Sequence, residues 1–447
     1  MNQFLNALST CFHFDTLAFV IMALVALVAL TIGSFSLRYL RGDRQQAAFY
    51  LNLTALVPTI FLMVGADHLL LLLATWAISN GLLTRLMLHK TEWEAARQSA
   101  LLARRNFILG IAFLAAAFLL FYQLTGETSL QAILATSMDP YWKITGCLLV
   151  LLAAMTQSAL WPFHRWLTSS LNSPTPVSAL MHAGLVNGGG FLLARFAPLY
   201  LKEPVLLNIL FVAGMITALT GTLWKLMQTD IKRMLASSTM AQMGFMIVQC
   251  GLGLFPAAIA HLCWHGLFKA NLFLASGAAA KEKRLDLDYP PAVKDLLIAL
   301  FCGAIAACMF SLSSNKQPGV FDTELFLQFL ALIAGAQFTL PIIRRNAKTG
   351  WITGIFAALL MGSFYGGSIY LIEQALVPVG ISMPQELNLL HFLGAACLLI
   401  SWLALLFIRP VKNQSYPDWL LKIYVRLLNA SQPHPKTITT HRNSYQF

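Results

Sequence analysis

The sequence predicts an all-α membrane protein that crosses the bilayer many times. Of its 447 residues, 58% are hydrophobic and only 11% are charged. Many apolar runs reach the roughly 20 residues that a helix needs to cross a hydrocarbon core of about 30 Å. Backbone polar groups in lipid must be paired within the segment, and these runs are too long and too uniformly apolar for barrel strands. We therefore expect the spans to be helices.

About thirteen spans are expected from the lengths of the apolar runs. They cover approximately residues 15–37, 46–66, 68–88, 106–125, 143–163, 176–199, 204–227, 230–252, 255–278, 292–313, 323–343, 350–373 and 387–408. Lysine and arginine gather in alternate loops, whereas the loop GETSLQAILATSMDP has neither. Because positive residues favour the cytoplasmic side, this alternation predicts an odd number of spans, a periplasmic N-terminus and a cytoplasmic C-terminus. We attribute the net charge of +12 to these loops rather than to nucleic-acid binding.

The remaining segments suggest little chemistry of their own. No loop is long enough for a soluble domain, and no Gly-rich phosphate loop is present, so we expect any nucleotide, flavin or quinone site on another chain. The N-terminus has no basic region or cleavage site typical of a removable signal. After residue 409, the stretch YPDWLLKIYVRLLNASQ predicts an amphipathic helix on the cytoplasmic surface or against a partner. The final HPKTITTHRNSYQF is expected to be disordered.

Three ionisable residues lie four positions apart within the apolar run FPAAIAHLCWHGLFKANLFLASG: His261, His265 and Lys269. This spacing places them on one face of a helix. An ionisable group in a bilayer costs roughly 2.5–3.5 kcal/mol, so such groups usually face a polar interior. Neutral imidazole both accepts and donates a proton, which favours a proton relay. Two alternatives remain: a buried, hydrogen-bonded pair without a transport role, and a metal site, for which no third ligand is evident.

Prolines predict an interruption in the stretch SALWPFHRWLTSSLNSPTPVSALMHAGLVNGGGFLLARF. Pro162 and His164 stand where one apolar run ends, and Pro174 and Pro176 stand where the next begins. Proline inside a span removes a backbone hydrogen bond, and broken helices line ion paths in transporters. A simple turn at the membrane surface is the alternative. His182 is expected about two helical turns inside the second run.

Two further lysines are candidates in the stretch TLWKLMQTDIKRMLASSTMAQMGF. Lys225 is flanked by apolar residues, and Lys232 opens a helix that also carries serine, threonine and glutamine. These polar groups would suit a hydrated path. Ordinary loop charges without a function are the alternative explanation.

Three motifs then carry a resemblance. WPFHRWLTSSLNSPTPVSALMHAG, QTDIKRMLASSTMAQMGF and HLCWHGLFKANLFLASG resemble, over roughly residues 15 to 280, the antiporter-like proton-translocating subunits of respiratory NADH–quinone oxidoreductase. They equally resemble the related sodium/proton antiporter subunits. Within that superfamily, MTQSALWPFHRWL and SLNSPTPVSALMHAGLVNGGGFLLARFAPLY are most similar to the DabB group, the membrane subunits of two-component inorganic-carbon uptake systems.

The resemblance implies an architecture and a path. It implies a transmembrane domain over 1–408 with two inverted five-helix repeats, about 46–199 and 204–343, each with a broken helix, followed by the segment 409–447. The second broken helix would lie near SLSSNKQPGVFDTE, with Lys316, Asp322 and Glu324 as its polar residues. A hydrated axis at the midplane would contain His182, Lys232, His261, His265 and Lys269, assisted by Lys225.

Two departures from the respiratory relatives matter. Ala77 stands where they have a glutamate, and Gln157 stands where they have a lysine. A carboxylate–ammonium pair lets each charge tune the other's pKa, and neither alanine nor glutamine ionises. The respiratory pumping cycle therefore does not transfer intact.

The implied function is proton conduction in the bacterial inner membrane, with sodium as the alternative ion. The implied partner is a DabA-like zinc protein on the cytoplasmic face that hydrates CO2 to bicarbonate, while this chain itself holds no cofactor and is no enzyme. Two alternatives stay open: a proton-translocating subunit of a respiratory or antiporter complex, and a non-conducting membrane anchor.

Overall fold

The computed structural model describes residues 11–281, 290–316, 320–345, 349–407 and 417–438. It is built from helices joined by short loops, and we number them in chain order. They are α1 Thr16–Tyr39, α2 Gln46–Gly65, α3 Leu69–Met87, α4 Glu94–Thr125, α5 Leu130–Ala135, α6 Pro140–Gln157, α7 Arg165–Thr168, α8 Thr175–Ala183, α9 Gly188–Arg195, α10 Ala197–Tyr200, α11 Pro204–Met227, α12 Ile231–Gly251, α13 Phe255–Leu274, α14 Val293–Ser313, α15 Thr323–Arg345, α16 Gly350–Leu376, α17 Leu389–Phe407 and α18 Asp418–Ala430.

Within the described ranges, ten segments are long and apolar enough to cross a membrane. They include α8 and α9 counted together as Thr175–Arg195. Helices α6, α12 and α13 have 18, 21 and 20 residues but are not among the ten. They are less apolar because they carry the polar side chains considered below. The prediction of a polytopic helical membrane protein is confirmed, whereas the count of thirteen spans stays a prediction.

Aspartates begin several of the spans. The side chains of Asp15, Asp139 and Asp230 accept hydrogen bonds from backbone N–H groups in the first turns of α1, α6 and α12. The first N–H groups of a helix have no partner within the helix, so a carboxylate there satisfies them and favours the helix dipole. These caps fix where the polar loops end and the apolar spans start.

Helices α11 and α12 approach each other so closely that their glycines cannot be enlarged. A Cβ on Gly244 would lie 2.5 Å from the backbone nitrogen of Ala218, and one on Gly221 would lie 2.6 Å from that of Ala241. Small residues at a helix interface let two backbones pack directly, which is a main source of helix association in membranes. This contact holds α12, which carries Lys232, at a fixed depth.

The C-terminal segment differs from the prediction in part. Disorder was expected from His434 onward, but Pro435–Thr437 form a 3-10 turn that packs on the loop before α8. The His434 N–H donates to Ser169 Oγ at 2.9 Å, and Asn172 Nδ2 donates to the Thr437 carbonyl at 2.9 Å. These hydrogen bonds order a polar segment that composition alone predicts to be mobile. Residues 439–447 lie outside the described part of the chain, as do the basic residues Arg409 and Lys412.

Candidate proton path

Helix α13 carries a row of three ionisable groups through the bundle. His265 is 5% exposed and Lys269 is 1% exposed, while His261 is partly buried. The rings of His261 and His265 are nearly parallel, with centroids 6.1 Å apart. Neither Nε2 atom has a hydrogen-bond partner. Buried polar atoms without partners are rare in native proteins, so these nitrogens are available to bind water or to exchange a proton.

His182 joins this row from the last turn of α8. Its side chain is 1% exposed, and its ring stacks on Phe273 with centroids 4.2 Å apart. His182 Nδ1 lies 3.0 Å from Thr239 Oγ1. The Thr239 hydroxyl is also 3.0 Å from the Leu235 carbonyl oxygen, to which it donates. Because the hydroxyl has one proton, the Nδ1 of His182 must then be the donor to Thr239, which leaves its Nε2 as the acceptor.

Lys269 meets the same carbonyl from the other side. Its Nζ donates to the Leu235 carbonyl oxygen at 3.2 Å. His182, Thr239, Leu235 and Lys269 therefore form one connected polar network between α8, α12 and α13. The charge of Lys269 acts electrostatically on both His182 and His265. A carbonyl does not carry a proton onward, so the network holds the ionisable groups in place rather than serving as a wire by itself.

Lys232 and Lys225 occupy the end of the bundle beyond Lys269. Lys232 is half-buried in the first turn of α12, near Tyr39 and Asp230, and its charge reaches His182. Lys225 is exposed at the end of α11, and its charge acts on Lys269. The structure therefore brings five of the six predicted groups into one buried or half-buried cluster. Lys225 is the exception, because it lies at the surface.

The broken helix lies deeper than the prolines predicted. Helix α8 ends at Ala183, a 3-10 turn covers Leu185–Asn187, and α9 starts at Gly188. The interruption thus falls in the middle of the predicted span 176–199. Pro174 and Pro176 instead begin α8, where proline is compatible with a helix because the first N–H groups need no internal partner.

The region around Pro162 and His164 is a packed turn between α6 and α7, and its place in a broken helix stays a prediction. His164 is 6% exposed, and its ring centroid lies 4.6 Å from that of Trp224. Burial, together with the neighbouring Arg165 charge, lowers the pKa of His164 to about 4. The imidazole is therefore neutral at pH 7, which suits a structural contact.

Gln157 and Ser158 donate hydrogen bonds to backbone carbonyl groups at the break in the helix. Gln157 Nε2 donates to the Leu185 carbonyl at 3.2 Å, and Ser158 Oγ donates to the Val186 carbonyl at 2.6 Å. Unpaired backbone groups at membrane depth cost several kcal/mol each, so these two side chains keep the break stable. Gln157 also lines a cavity of about 40 Å³, which is large enough to hold water. Ala77 is half-buried on α3, one residue after Trp76, whose ring lines this cavity.

Substitution of Gln157 by leucine is expected to destabilise the break. The Leu185 carbonyl would lose its donor in a buried site, at a cost of about 1–3 kcal/mol. Thermal unfolding of the purified protein in detergent measures this loss. Ser158→Ala removes the neighbouring donor and is expected to act in the same direction. An unchanged unfolding temperature in both variants would show that the break needs neither side chain.

The second predicted break is wrong as placed. Ser314–Lys316 and 320–322 belong to a loop between two separate helices, α14 and α15, with residues 317–319 outside the described part. Helix α15 runs without interruption from Thr323 to Arg345. Asp322 accepts a hydrogen bond from the Glu324 N–H, as a residue preceding a helix commonly does. Lys316 and Glu324 form an ion pair, which is described further below.

Metal binding by His261 and His265 would require a third ligand. Among the residues that the structure describes, no group of three histidine, cysteine, aspartate or glutamate side chains could hold a metal ion. The surroundings of the pair are instead the Phe245 ring, whose centroid is 5.3 Å from that of His261, and the Lys269 charge.

A broken helix beside a buried row of imidazole and ammonium groups defines the class: a membrane subunit of the ion-translocating type. Comparison with known proteins gives the family. Residues 66–340 match the family described as NADH:quinone oxidoreductase/Mrp antiporter, TM, and residues 5–50 match complex I chain 5, N-terminus. The chain belongs to this family and, within it, to the group of DabB subunits.

Two relatives and one solved structure illustrate the similarity. The chain is 40% identical over 280 residues to the probable inorganic carbon transporter subunit DabB1 of Halothiobacillus neapolitanus, covering 61% of this chain and 50% of the relative. It is 31% identical over 450 residues to DabB2 of the same organism, covering 95% and 79%. The Mrp complex from Dietzia sp. DQ12-45-1b matches with a TM-score of 0.57 at 23% identity, over 93% of this chain and 48% of that one, which shows the fold. The chain spans about half the length of the first curated relatives that it matches.

Proposed function

We propose that this chain is the proton-conducting membrane subunit of a two-component inorganic-carbon uptake complex. The observation that carries the proposal is the buried cluster of His182, His261, His265 and Lys269, in which Thr239 and the Leu235 carbonyl connect His182 with Lys269. Keeping four titratable groups inside a membrane bundle costs several kcal/mol, and such residues usually mark ion or proton pathways. The printed names of the DabB relatives supply the inorganic-carbon context.

The orientation follows from the distribution of charge. Basic loops at one end of the bundle favour the cytoplasm, so we place the N-terminus in the periplasm and the C-terminus inside, in the inner membrane. On this orientation, Lys225 and Lys232 lie at the cytoplasmic end of the path. Helix α18 leaves the same end with its apolar residues exposed, among them Trp419 at 63% and Leu421 at 52%.

Catalysis would belong to the partner. A DabA-like zinc protein on the cytoplasmic face would hydrate CO2 to bicarbonate, and proton movement through this chain would drive that step. The proton is favoured over sodium because the buried groups are imidazoles and an ammonium. A sodium site needs oxygen ligands, and no carboxylate lines the row on α13.

The respiratory or antiporter alternative is disfavoured by Gln157. In place of an ionisable lysine, the structure has a neutral amide that donates to the Leu185 carbonyl. The anchor alternative leaves the cost of four buried ionisable groups without a benefit.

Growth of cells that lack carbonic anhydrase tests the proposal. Co-expression of this chain with its zinc-containing partner is expected to restore growth in air, whereas either chain alone is not. Copurification of the two chains, with zinc on the partner, is the accompanying control. Full rescue by the partner alone would contradict a role for this subunit in uptake.

A further inference from the structure

A charged cluster lies at the opposite end of the bundle from Lys225. The Lys316 Nζ is 2.5 Å from Glu324 Oε1 and 3.1 Å from Glu373 Oε2, and Ser382 Oγ donates to Glu373 at 3.1 Å. The side chain of Lys316 is 5% exposed and that of Glu373 is 21% exposed. The cluster lines a cavity of about 350 Å³, which is large enough to hold water. No motif in the sequence predicted Glu373.

The cluster has one negative charge too many to be a simple ion pair. Lys316 contributes one positive charge, and the two glutamates contribute one negative charge each. Burial lowers the pKa of Lys316, but the hydrogen bond that it donates to Glu324 and the charge of Glu373 outweigh burial and raise the pKa above its ordinary value. The ammonium therefore stays charged, and the surplus negative charge falls on the carboxylates. Adding a proton to one carboxylate would make the cluster neutral.

Glu373 is the carboxylate whose protonation leaves the closer ion pair intact. Glu324 has the shorter contact with Lys316, at 2.5 Å against 3.1 Å for Glu373. When Glu373 is protonated, Lys316 keeps Glu324 as its counterion. Glu373 also faces the cavity, and the other titratable groups that line it are Lys316, Glu324 and Tyr370.

The start of α13 brings the cavity near the row of ionisable groups on that helix. Pro256, at the start of α13, lines the cavity, and His261 follows five residues later, about 7.5 Å along the helix at 1.5 Å per residue. Gln249, near the end of α12, is 1% exposed with an unpartnered Oε1, and its side chain hydrogen-bonds the phenol of Tyr365 on α16. Its backbone carbonyl accepts from the Leu254 N–H at 3.1 Å, directly before α13 starts. Because buried polar atoms without partners usually bind water, Gln249 marks a hydrated position next to the start of α13.

We propose that Glu373 is the group at which protons enter or leave the path at the periplasmic end, with Lys316 and Glu324 as its positioning residues. The step is a proton added to the Glu373 carboxylate, giving a carboxylic acid, and later passed to His261 along water molecules that Tyr365 and Gln249 hold by hydrogen bonds. This inference rests on the proposed function, since it completes the same path.

The ion pair between Lys143 and Glu203 provides a matched control. Lys143 Nζ is 2.5 Å from Glu203 Oε1, and the two side chains are 15% and 19% exposed. Glu203 directly precedes α11, and Lys225 lies near the opposite end of that helix. The Lys143–Glu203 pair is therefore at the same end of the bundle as Glu373, but it is not part of the proposed path to α13. Glu373→Gln and Glu203→Gln remove the same charge from glutamates of similar exposure, 21% and 19%.

Two measurements on the reconstituted complex test the inference. In vesicles with an imposed membrane potential, Glu373→Gln is expected to reduce proton flux roughly tenfold or more, which corresponds to about 1.4 kcal/mol of added barrier. Glu203→Gln should retain more than about half of the flux, since about 0.4 kcal/mol corresponds to a factor of two. Infrared titration of the same samples should show a protonated carboxyl band that changes with pH and is absent from Glu373→Gln.

The outcomes separate this inference from the proposed function. Equal flux in wild type and Glu373→Gln, or infrared spectra without a titrating band that the substitution removes, would reduce the cluster to a structural ion pair. Absence of flux in the wild-type complex would contradict the proposed function. The infrared titration needs no flux, so it would then decide the protonation of Glu373 by itself.

Discussion

Replacing Lys269 with methionine is expected to abolish carbon-dependent growth while leaving the complex assembled. Methionine fills a similar volume on α13 but cannot carry a charge or donate to the Leu235 carbonyl. The path would lose the ammonium that acts on His182 and His265, and the carbonyl would lose a donor at a cost of about 1–3 kcal/mol. Growth in air of cells without carbonic anhydrase, compared with the yield of the copurified complex, measures both consequences.

Asn271→Met is the matched control for this substitution. Asn271 lies two residues further along α13 on an exposed face, so the same side chain is introduced into the same helix away from the path. We expect it to support wild-type growth. Normal growth of the Lys269→Met variant would show that the proposed path does not need the ammonium. Loss of growth together with loss of assembly in that variant would instead assign Lys269 a structural role.

Substitution of Gly244 by alanine is expected to cause a large loss of stability in the bundle. The added Cβ would lie 2.5 Å from the backbone nitrogen of Ala218 and 2.8 Å from the carbonyl oxygen of Gly214. Neither obstacle is a flexible side chain, so α11 and α12 must separate. Overpacking of a core costs about 1–3 kcal/mol, and a backbone clash belongs at the upper end of that range. Thermal unfolding of the purified protein and the yield of folded protein from membranes both report the effect.

Gly81→Ala is the control for helix propensity. A Cβ at Gly81 on α3 meets no atom within 4 Å. Alanine is favoured over glycine in a helix interior by about 0.5–1 kcal/mol, so this variant should be as stable as the wild type or slightly more stable. Similar stability of both alanine variants would show that the α11–α12 interface is looser than the structure describes.

The sequence predicted the α13 row well because its signal is local. His261, His265 and Lys269 share one helix, and a spacing of four residues alone places them on one face. Their meeting with His182 depended on how α8 packs against α13, which the pattern of one segment does not contain. The family resemblance supplied that connection, and the structure adds Thr239 and the Leu235 carbonyl as the groups that join them.

The position of the break was missed because prolines gave a stronger signal than glycines. Pro174 and Pro176 stand at the start of α8, where they fit. The interruption follows from Gly184 and from side chains on another helix, since Gln157 and Ser158 pair the carbonyls that the break frees. These hydrogen bonds join residues nearly thirty positions apart in the sequence, so no local sequence pattern predicts them.

Glu373 illustrates a signal that was present but not used. It stands in the apolar stretch GSIYLIEQALVP, and a carboxylate in such a run is as costly as the imidazoles on α13. Its partners Lys316 and Glu324 were assigned to a second broken helix, which the structure replaces with a loop between α14 and α15. The contact between that loop and α16 could be found only in three dimensions.

Proton flux through the purified complex in sealed vesicles tests the central claim most directly. With a potassium diffusion potential, negative inside, the wild-type complex is expected to acidify the vesicle interior at a rate that Lys269→Met lowers roughly tenfold or more, equivalent to at least about 1.4 kcal/mol of barrier. Vesicles in which the wild type moves no protons, or in which Lys269→Met moves them equally fast, would contradict a proton path built on the buried row of α13.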